Sequence, residues 1–276
     1  LGILMQYQAD VAEVKKGARI PVSKKPVSTD KVGVSFFGAG NYATSSLLPP
    51  LKADADIELR GLVTASGRTA QGVASQFGFS FCAANYAELL DKDSDAIMVV
   101  TRHDTHAVSA ARALAANKHV YVEKPLALTV DELVDVHSAY QGSKGTVMVG
   151  FNRRFAPQVV KIKELLAAKA EPKSFIMTVN AGDIPADHWT QDLAIGGGRI
   201  IGEACHFIDL LRFLAGSPIV EHGATFMGAQ AGMVTSDKVS ISLSFADGSI
   251  GVVHYLANGS KAFPKERLEV FCGGGV

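Results

Sequence analysis

A lysine lies at the end of a short apolar run in this chain. Residues 119–122, His-Val-Tyr-Val, have the pattern of a buried strand, and Glu123, Lys124 and Pro125 follow directly. Proline restricts the backbone of the residue before it, so we expect Lys124 to point consistently away from the strand end. An amine whose pKa is lowered by partial burial can exchange a proton with a reacting hydroxyl. Lys124 is therefore a candidate for acid–base chemistry, with Glu123 tuning it; an ordinary charged turn is the alternative.

A glycine-rich turn follows an earlier strand-like run, residues 32–37. The six residues that start at Gly38 read Gly-Ala-Gly-Asn-Tyr-Ala, the GxGxxA pattern of a dinucleotide-binding turn. Gly38 allows the tight turn, Gly40 lets the backbone approach a pyrophosphate, and Ala43 permits close packing of helix on strand. The turn predicts a bound NAD or NADP, with the reactive end of the nicotinamide facing Lys124.

The second strand-like run, residues 57–64, ends without a carboxylate. An acidic residue at this point would bind the ribose 2′-hydroxyl of NAD. Instead, Ser66 and Arg68 follow, and both could hydrogen-bond a 2′-phosphate, so the sequence slightly favours NADP. The alternative is that Arg68 starts a helix in solvent. The predicted cofactor-binding residues are Gly38, Gly40, Asn41, Tyr42, Ser66, Arg68, Thr101, His106, Glu123, Lys124 and Arg154.

The strand at residues 96–101 leads into a histidine-containing segment. Ligands of doubly wound sheets bind at the carboxyl ends of the strands, so we expect Thr101 and His106 to contact the cofactor. His103 and His106 would suit a metal, but no third ligand follows at a diagnostic spacing. We therefore predict no metal site.

Two further groups predict substrate contacts. Arg153 and Arg154 follow a strand end, where either could face a phosphate or carboxylate; a salt bridge between domains is the alternative. His188 and Trp189 lie in a polar loop, and a tryptophan beside a histidine suits stacking on a sugar. A packed hinge between domains is the alternative for that pair.

Strands alternate with helices up to residue 150, which is typical of a doubly wound parallel sheet. Afterwards a helix-and-loop segment is followed by consecutive strand-like runs, with an Asp247-Gly248 hairpin turn between two of them. The predicted fold class is α/β: a Rossmann domain at residues 31–150, then an α+β domain at 151–276 with an open, mainly antiparallel sheet. We expect residues 1–30 to be a linker or the tail of an upstream module, and the second domain to be truncated at its C-terminus.

The composition excludes several classes of protein. The 276 residues are 47% hydrophobic and 20% charged with a formal net charge of zero, so no nucleic-acid partner is expected. A local basic cluster near the N-terminus reads as a solvated linker; its members are Lys15, Lys16, Arg19, Lys24 and Lys25. Three widely spaced cysteines fit reduced thiols in the cytoplasm, and no apolar run is long enough to span a membrane.

Several motifs together resemble the Gfo/Idh/MocA oxidoreductases over roughly residues 31–272. The motifs that carry the resemblance, in chain order, are Gly38–Ala43, Thr105–Ala107, His119–Leu126, Gly150–Phe155, Gly196–Gly198 and Cys205–Asp209. The resemblance implies NAD(P)-dependent redox chemistry on sugars, inositols or related alcohols, and a homo-oligomer formed through the open sheet. The opening tail also resembles the end of an upstream module, since some relatives resemble fusions in which a zinc alcohol-dehydrogenase-like domain precedes this one.

The resemblance also implies that Lys124 is the catalytic lysine and His206 a second acid–base group. The family usually places an aspartate four residues before that histidine, but this chain has Gly202 there and Glu203 one residue later. A one-residue step turns a helical side chain by about 100°, so Glu203 need not pair with His206. Asp209 follows His206 by about one turn, although the family's aspartate at that point is usually structural.

The sequence thus predicts a dehydrogenase or reductase that moves a hydride between nicotinamide and a carbinol carbon. Lys124, His206 and Glu203 are the predicted catalytic residues. The predicted substrate contacts are Lys124, Arg153, His188, Trp189 and His206. Two alternatives stay open: NAD-dependent glycoside cleavage on the same fold, and a non-catalytic NAD(P)-binding regulator.

Overall fold

A computed structural model of the chain describes residues 19–276 apart from 24–27, 29, 92, 229–233 and 235. Lys15, Lys16, Lys24 and Lys25 of the basic cluster lie outside the described residues. The chain divides into two compact units. The first comprises Leu1–Thr101, Arg112–Tyr121 and Gly142–Val147, and the second comprises Arg102–Ala111, Val122–Gln141 and Met148–Val276.

The first sheet has seven strands. They are β1 (Ile20–Pro21), β2 (Val32–Phe37), β3 (Ile57–Val63), β4 (Phe81–Cys82), β5 (Ala96–Val99), β6 (His119–Val122) and β7 (Val147–Val149). Their order is β1-β4-β3-β2-β5-β6-β7, and β2 runs parallel to both β3 and β5. The central strand β2 buries Val34 and Phe36, as expected for a strand covered on both faces.

Residues 20 and 21, which the sequence assigns to a linker, form the edge strand β1. Ile20 is the antiparallel partner of Cys82 on β4. Arg19 secures this edge, because its guanidinium pairs with Asp91 and lies 4.3 Å from the ring centroid of Phe81. One residue of the basic cluster is therefore an anchor for the sheet edge.

Within the described residues, six α-helices connect and cover the strands. They are α1 (Leu48–Ala53), α2 (Gly67–Phe77), α3 (His106–Ala115), α4 (Val130–Gln141), α5 (Pro157–Ala167) and α6 (Cys205–Ala215). Shorter helical segments include π-helical turns at Ala43–Leu47 and Ile200–Ala204 and 3-10 turns at Tyr86–Leu89, His103–Thr105 and Asn152–Phe155. In the described part of the chain, none of the helices has the length and apolar character needed to cross a membrane.

The second sheet has five strands. They are β8 (Ser174–Asn180), β9 (Ile219–Phe226), β10 (Lys238–Phe245), β11 (Ile250–Leu256) and β12 (Glu266–Phe271). The order is β12-β8-β11-β10-β9, and only the β8–β11 pair is parallel among these neighbours. The predicted fold class, a Rossmann-like parallel sheet followed by a mainly antiparallel one, is confirmed.

Helix α6 forms the core of the second unit with this sheet. Phe207, Leu210 and Leu211 recur at helical spacing and are almost completely buried, together with Tyr255 of β11. Because this face of α6 is held so firmly, His206 at its second position is fixed as well. The helix ends at Gly216, which adopts the left-handed conformation that lacks a steric cost for glycine.

Candidate active site

The second unit contains a cavity of about 330 Å³ that is lined by all three predicted catalytic residues. Its lining residues are His103, Lys124, Arg153, Trp189, Thr190, Arg199, Gly202, Glu203 and His206. Lys124, Glu203 and His206 were predicted as catalytic, and Arg153 and Trp189 as substrate contacts. The cavity therefore brings together residues that lie as much as a hundred positions apart in the sequence.

Lys124 lies two residues after the end of β6 and is half-buried. Its Nζ donates a hydrogen bond of 2.6 Å to the carbonyl oxygen of Gly202, in the π-helical turn before α6. His106 is fully buried, and its Nδ1 donates to the carbonyl oxygen of Pro125 at 2.8 Å. His106 thus supports the turn that carries Lys124, while its predicted contact with a cofactor stays a prediction. Glu123 beside it is also half-buried.

His206 lies in the cavity wall as a neutral imidazole. Burial, followed by the nearby positive charges of Arg153 and Lys124, lowers the pKa of His206 to about 3. Its Nδ1 is buried and has no hydrogen-bond partner among the described residues. A neutral imidazole has one nitrogen that can accept a proton, so His206 is in the form that a base requires.

Glu203 is tied to three other side chains rather than to Nδ1 of His206. Oε2 accepts hydrogen bonds from Tyr255 Oη at 2.5 Å and from Arg199 Nη2 at 3.2 Å, and Oε1 accepts one from Lys265 Nζ at 2.7 Å. Burial alone would raise the pKa of Glu203, but the hydrogen bonds from Lys265 and Tyr255 and the positive charges of Lys265 and Arg199 outweigh it and lower that pKa to about 2. Glu203 is therefore a charged anchor beside the cavity, and its catalytic role stays a prediction.

The two arginines after β7 each form an ion pair within the second unit. Arg153 binds Glu266 through Nη2 at 2.5 Å and Nε at 3.2 Å, and it lines the cavity. Arg154 binds Asp209 with both its Nε, at 2.6 Å, and its Nη2. Asp209 is thus engaged by an arginine, as a structural aspartate would be, and Arg154 is not among the residues that line the cavity.

Trp189 is held in the cavity wall by its neighbours. Its ring meets that of His103 edge-on with centroids 4.8 Å apart, and the Arg102 guanidinium lies 5.6 Å from the Trp189 centroid. His188 is exposed, bonds Thr190 Oγ1 at 2.9 Å and does not line the cavity. Of the predicted stacking pair, the structure therefore brings only Trp189 to the site.

Four cavity residues were not predicted as site residues: His103, Thr190, Arg199 and Gly202. Arg199 is 6% exposed and donates to the carbonyl oxygens of Gly182 and Ala181 at 2.6 and 3.1 Å. The position of Arg199 directly after the glycine triplet Gly196–Gly198 is the sequence signal that could have identified it as a site residue. His103 also follows the end of a strand, but the sequence analysis considered it only as a possible metal ligand. Among the described residues, no group of His, Cys, Asp and Glu side chains is arranged to hold a metal ion.

The glycine turn of the first unit has the geometry that a dinucleotide requires. Gly38 has φ +102°, and a Cβ there would lie 2.4 Å from the carbonyl oxygen of Val100. A Cβ on Gly40 would meet no atom within 4 Å, so open space adjoins the backbone at that point. The hydrogen bond from Thr44 N to Gly40 O marks the first turn of the following helix, and the N-terminus of a helix favours a bound anion. The turn therefore fits a pyrophosphate.

The remaining predicted cofactor contacts follow the carboxyl ends of strands in the first sheet. Asn41 and Tyr42 are exposed beside the turn, and the Thr101 methyl lies 3.1 Å from the position of a Cβ on Gly38. Ser66 and Arg68 are exposed at the start of α2, with the backbone oxygen of Ser66 accepting a hydrogen bond from Thr64. These placements keep the residues accessible to a ligand, and their contacts with a cofactor stay predictions.

Comparison with known protein families gives two adjoining matches. Residues 32–151 match a sequence model described as "Oxidoreductase family, NAD-binding Rossmann fold", and residues 159–276 match the "GFO/IDH/MocA C-terminal domain". Together the two matches cover strands β2 to β12 and every residue that lines the cavity except Arg153.

Individual relatives are similar at low identity. An uncharacterised oxidoreductase, YrbE, of Bacillus subtilis is 26% identical, covering 90% of this chain and 72% of the relative. Myo-inositol 2-dehydrogenase of Thermotoga maritima is 25% identical over 66% of this chain, which spans only 55% of that enzyme. A solved structure of levoglucosan dehydrogenase with NADH and levoglucosan has a TM-score of 0.73 and 25% identity, covering 88% of this chain and 71% of the other.

Proposed function

The chain belongs to the Gfo/Idh/MocA oxidoreductase family, and on this premise we propose that it transfers a hydride between a nicotinamide cofactor and a carbinol carbon of a sugar, inositol or related polyol. The predictions of the family, the fold and an oxidoreductase are confirmed by the two family matches. The observation that carries the proposed reaction is that Lys124 and His206 line one cavity of the second unit.

The cofactor supplies the hydride acceptor or donor when it is bound, and the chain supplies the proton chemistry. Oxidation of an alcohol removes a hydride from carbon and a proton from oxygen, so a base must face the hydroxyl. Lys124 Nζ binds and polarises that hydroxyl, and it already donates to a carbonyl oxygen of the cavity wall, that of Gly202. His206 is neutral because its pKa is about 3, and so weak a base holds the proton of the hydroxyl only transiently as it relays it.

The class of substrate is supported by the cavity and by the relatives. A volume of about 330 Å³ lined mainly by polar and charged side chains suits a small hydroxylated molecule. Trp189 adds a flat aromatic surface of the kind that stacks on the apolar face of a sugar ring. Relatives named as dehydrogenases of myo-inositol and levoglucosan support the same class.

The cofactor is NAD or NADP, bound at the glycine turn. The turn at Gly38 and Gly40 supports the pyrophosphate, as the family does. We propose that Arg68 and Ser66 accept a 2′-phosphate, because both are exposed after β3 and no carboxylate stands at that strand end. A relative crystallised with NADH supports NAD as the second choice.

A homo-oligomer through the open face of the second sheet is part of this proposal. Apolar side chains at Val220, Phe226 and Ile250 are more than half exposed on its strands. Such residues suit a covered interface rather than solvent.

Replacement of Lys124 tests the function. We expect Lys124→Ala to lower kcat by about 10²–10⁴-fold, the range for loss of an acid–base group, while the Kd for the cofactor changes little. The assay follows reduced-nicotinamide absorbance over a panel of myo-inositol, levoglucosan and L-sorbose, with cofactor binding by isothermal titration calorimetry. Lys161→Ala is the matched control, since Lys161 is an exposed lysine of the same unit. Turnover by Lys124→Ala equal to that of the control would overturn the assignment.

A second candidate is a non-catalytic NAD(P)-binding regulator. It is favoured by one observation, that His206 Nδ1 has no hydrogen-bond partner within the described residues, where a catalytic histidine is usually oriented by one. The same calorimetry and panel separate the two functions. Cofactor binding without turnover of any panel member supports the regulator, and steady formation of NAD(P)H removes it.

A further inference from the structure

We propose that His103 is a substrate-binding residue of this cavity, whose Nε2 accepts a hydrogen bond from a hydroxyl group of the polyol. The inference rests on the proposed function, because it assumes that the cavity receives a hydroxylated substrate. His103 lies in the 3-10 turn before α3 and is 7% exposed. It lines the same cavity as Lys124 and His206.

The hydrogen bonding of His103 determines its tautomer. Nδ1 lies 2.8 Å from the carbonyl oxygen of Gly196, and because a carbonyl can only accept, Nδ1 carries the hydrogen and donates. A neutral imidazole has one N–H, so Nε2 is left with a lone pair. Burial is the largest cause that lowers the pKa of His103, and the charges of Lys124 and His106 lower it further. The hydrogen bond to Gly196 and the charge of Asp104 raise it, and the net result is a pKa of about 4. The ring is therefore neutral near pH 7, with Nε2 as an acceptor.

The ring of His103 is fixed in place on several sides. Trp189 meets it edge-on at 4.8 Å between centroids, and the amide of Asp104 donates to Ile195 O at 3.1 Å. The imidazole also lies against Gly202, where a Cβ would come within 3.0 Å of Cε1. A glycine at position 202 thus makes room for this ring. An acceptor held so firmly can select the position of a hydroxyl.

His206 and Thr190 can accept hydrogen bonds in this cavity, but its charged groups offer no further acceptor. Lys124, Arg153 and Arg199 present only donors when charged. The oxygens of Glu203 already accept bonds from Tyr255, Arg199 and Lys265. Each hydroxyl of a polyol brings a proton that must be accepted when water is displaced. Nε2 of His103 makes no hydrogen bond within the described part of the chain, and it meets this need.

Nuclear magnetic resonance tests the tautomer without any turnover. Two-bond ¹H–¹⁵N spectra of uniformly labelled full-length protein report which ring nitrogen carries the proton, and the His103 signal is identified by its loss in His103→Phe. We expect the Nδ1–H tautomer near pH 7. An Nε2–H tautomer or a charged ring would overturn the proposal, whatever the activity of the protein.

Two substitutions test the role in binding. Gln places a carbonyl oxygen near the position of Nε2, whereas Phe keeps the ring shape without a polar atom. We expect His103→Phe to lower kcat/KM about tenfold or more, mainly through KM, and His103→Gln to recover most of this loss. The substrate is the panel member with the highest wild-type turnover, and the control is His137→Phe, an exposed histidine of α4.

The outcomes separate this proposal from the proposed function. Equal losses in His103→Phe and His103→Gln, with an unchanged Kd for the cofactor, would show a packing role and overturn the inference while the function stands. If the wild-type protein turns over no panel member, the proposed function fails, and the addition of each polyol to the labelled protein decides the inference. A shift of the His103 Nε2 resonance supports it, and no shift with any of them rejects it.

Discussion

The glycine turn of the first unit and the cavity of the second depend on opposite features of their residues. The turn is made from consecutive positions, and what matters at Gly38 and Gly40 is the absence of a side chain. The cavity is made from side chains of distant segments, and each wall residue is held by hydrogen bonds or ring contacts of its own. We therefore expect the addition of a single methyl group to the turn to impair stability or cofactor binding. At the cavity, we expect the removal of a polar group to impair stability or activity.

Within the turn, the two glycines themselves differ, and this gives the largest expected effect. An alanine at Gly38 would combine a strained positive φ with a Cβ 2.4 Å from Val100 O, so we expect Gly38→Ala to destabilise the protein by about 2–4 kcal/mol and to abolish cofactor binding. An alanine at Gly40 would meet no protein atom, so Gly40→Ala should keep the wild-type unfolding free energy. Its methyl group would instead occupy space beside the backbone that a pyrophosphate needs, and the Kd for the cofactor should rise.

Urea unfolding and calorimetric titration with NAD and NADP measure the two effects separately. Gly72→Ala in α2 is the control for a glycine whose added Cβ meets nothing and lies away from the turn. If Gly40→Ala were as unstable as Gly38→Ala, the distinction between steric need and ligand access would be wrong.

In the cavity, removal of the charge on Glu203 is expected to cause the next largest loss of unfolding free energy. Glu203→Gln leaves Lys265 and Arg199 without their shared carboxylate, so we expect a loss of about 1–3 kcal/mol near neutral pH. Because the folded-state pKa of Glu203 is about 2, below its ordinary 4.5, the stabilisation is complete above that ordinary value and is lost as the pH falls toward 2. Thermal melts across this range should therefore show the wild type and Glu203→Gln converging in acid.

The control for this comparison is Glu164→Gln, at an exposed carboxylate of α5 that forms an exposed ion pair with Lys161. Its melting temperature should differ little from that of the wild type at every pH. A constant difference between wild type and Glu203→Gln across the acid range would contradict the assignment of the low pKa to this carboxylate.

The same contrast explains which parts of the molecule were predictable from the sequence. Parallel strands buried on both faces are continuous apolar runs, and the turn at Gly38 is a local pattern, so both could be recognised from neighbouring residues. Lys124 could be placed because it lies two residues after the end of such a strand. Its contact with Gly202 O, 78 positions away, could not.

Long-range pairing also decided where sequence reasoning fell short. The cofactor contact predicted for Arg154 stays a prediction, whereas the bond of its guanidinium to Asp209, 55 positions later, was not foreseen. The role of His103 depends on Gly196 O, 93 positions away, and on a glycine at 202 that leaves space for the ring. Nothing in the spacing of neighbouring residues specifies such partners, since only the tertiary fold brings them together.

The smallest expected effect on stability concerns Arg68, and it extends the comparison to an exposed residue of the first unit. Arg68 is exposed at the start of α2, so Arg68→Glu should leave the unfolding free energy within about 0.5 kcal/mol of the wild type. Its charge reversal should nevertheless repel a 2′-phosphate and supply the carboxylate that a ribose 2′-hydroxyl binds. We expect kcat/KM with NADP to fall about tenfold or more relative to NAD, measured by steady-state rates with both cofactors, while Arg267→Glu, an exposed arginine of β12, leaves the ratio unchanged. An unchanged ratio in Arg68→Glu would show that this arginine does not contact the cofactor, and the preference for NADP would then lose the charge on which it rests.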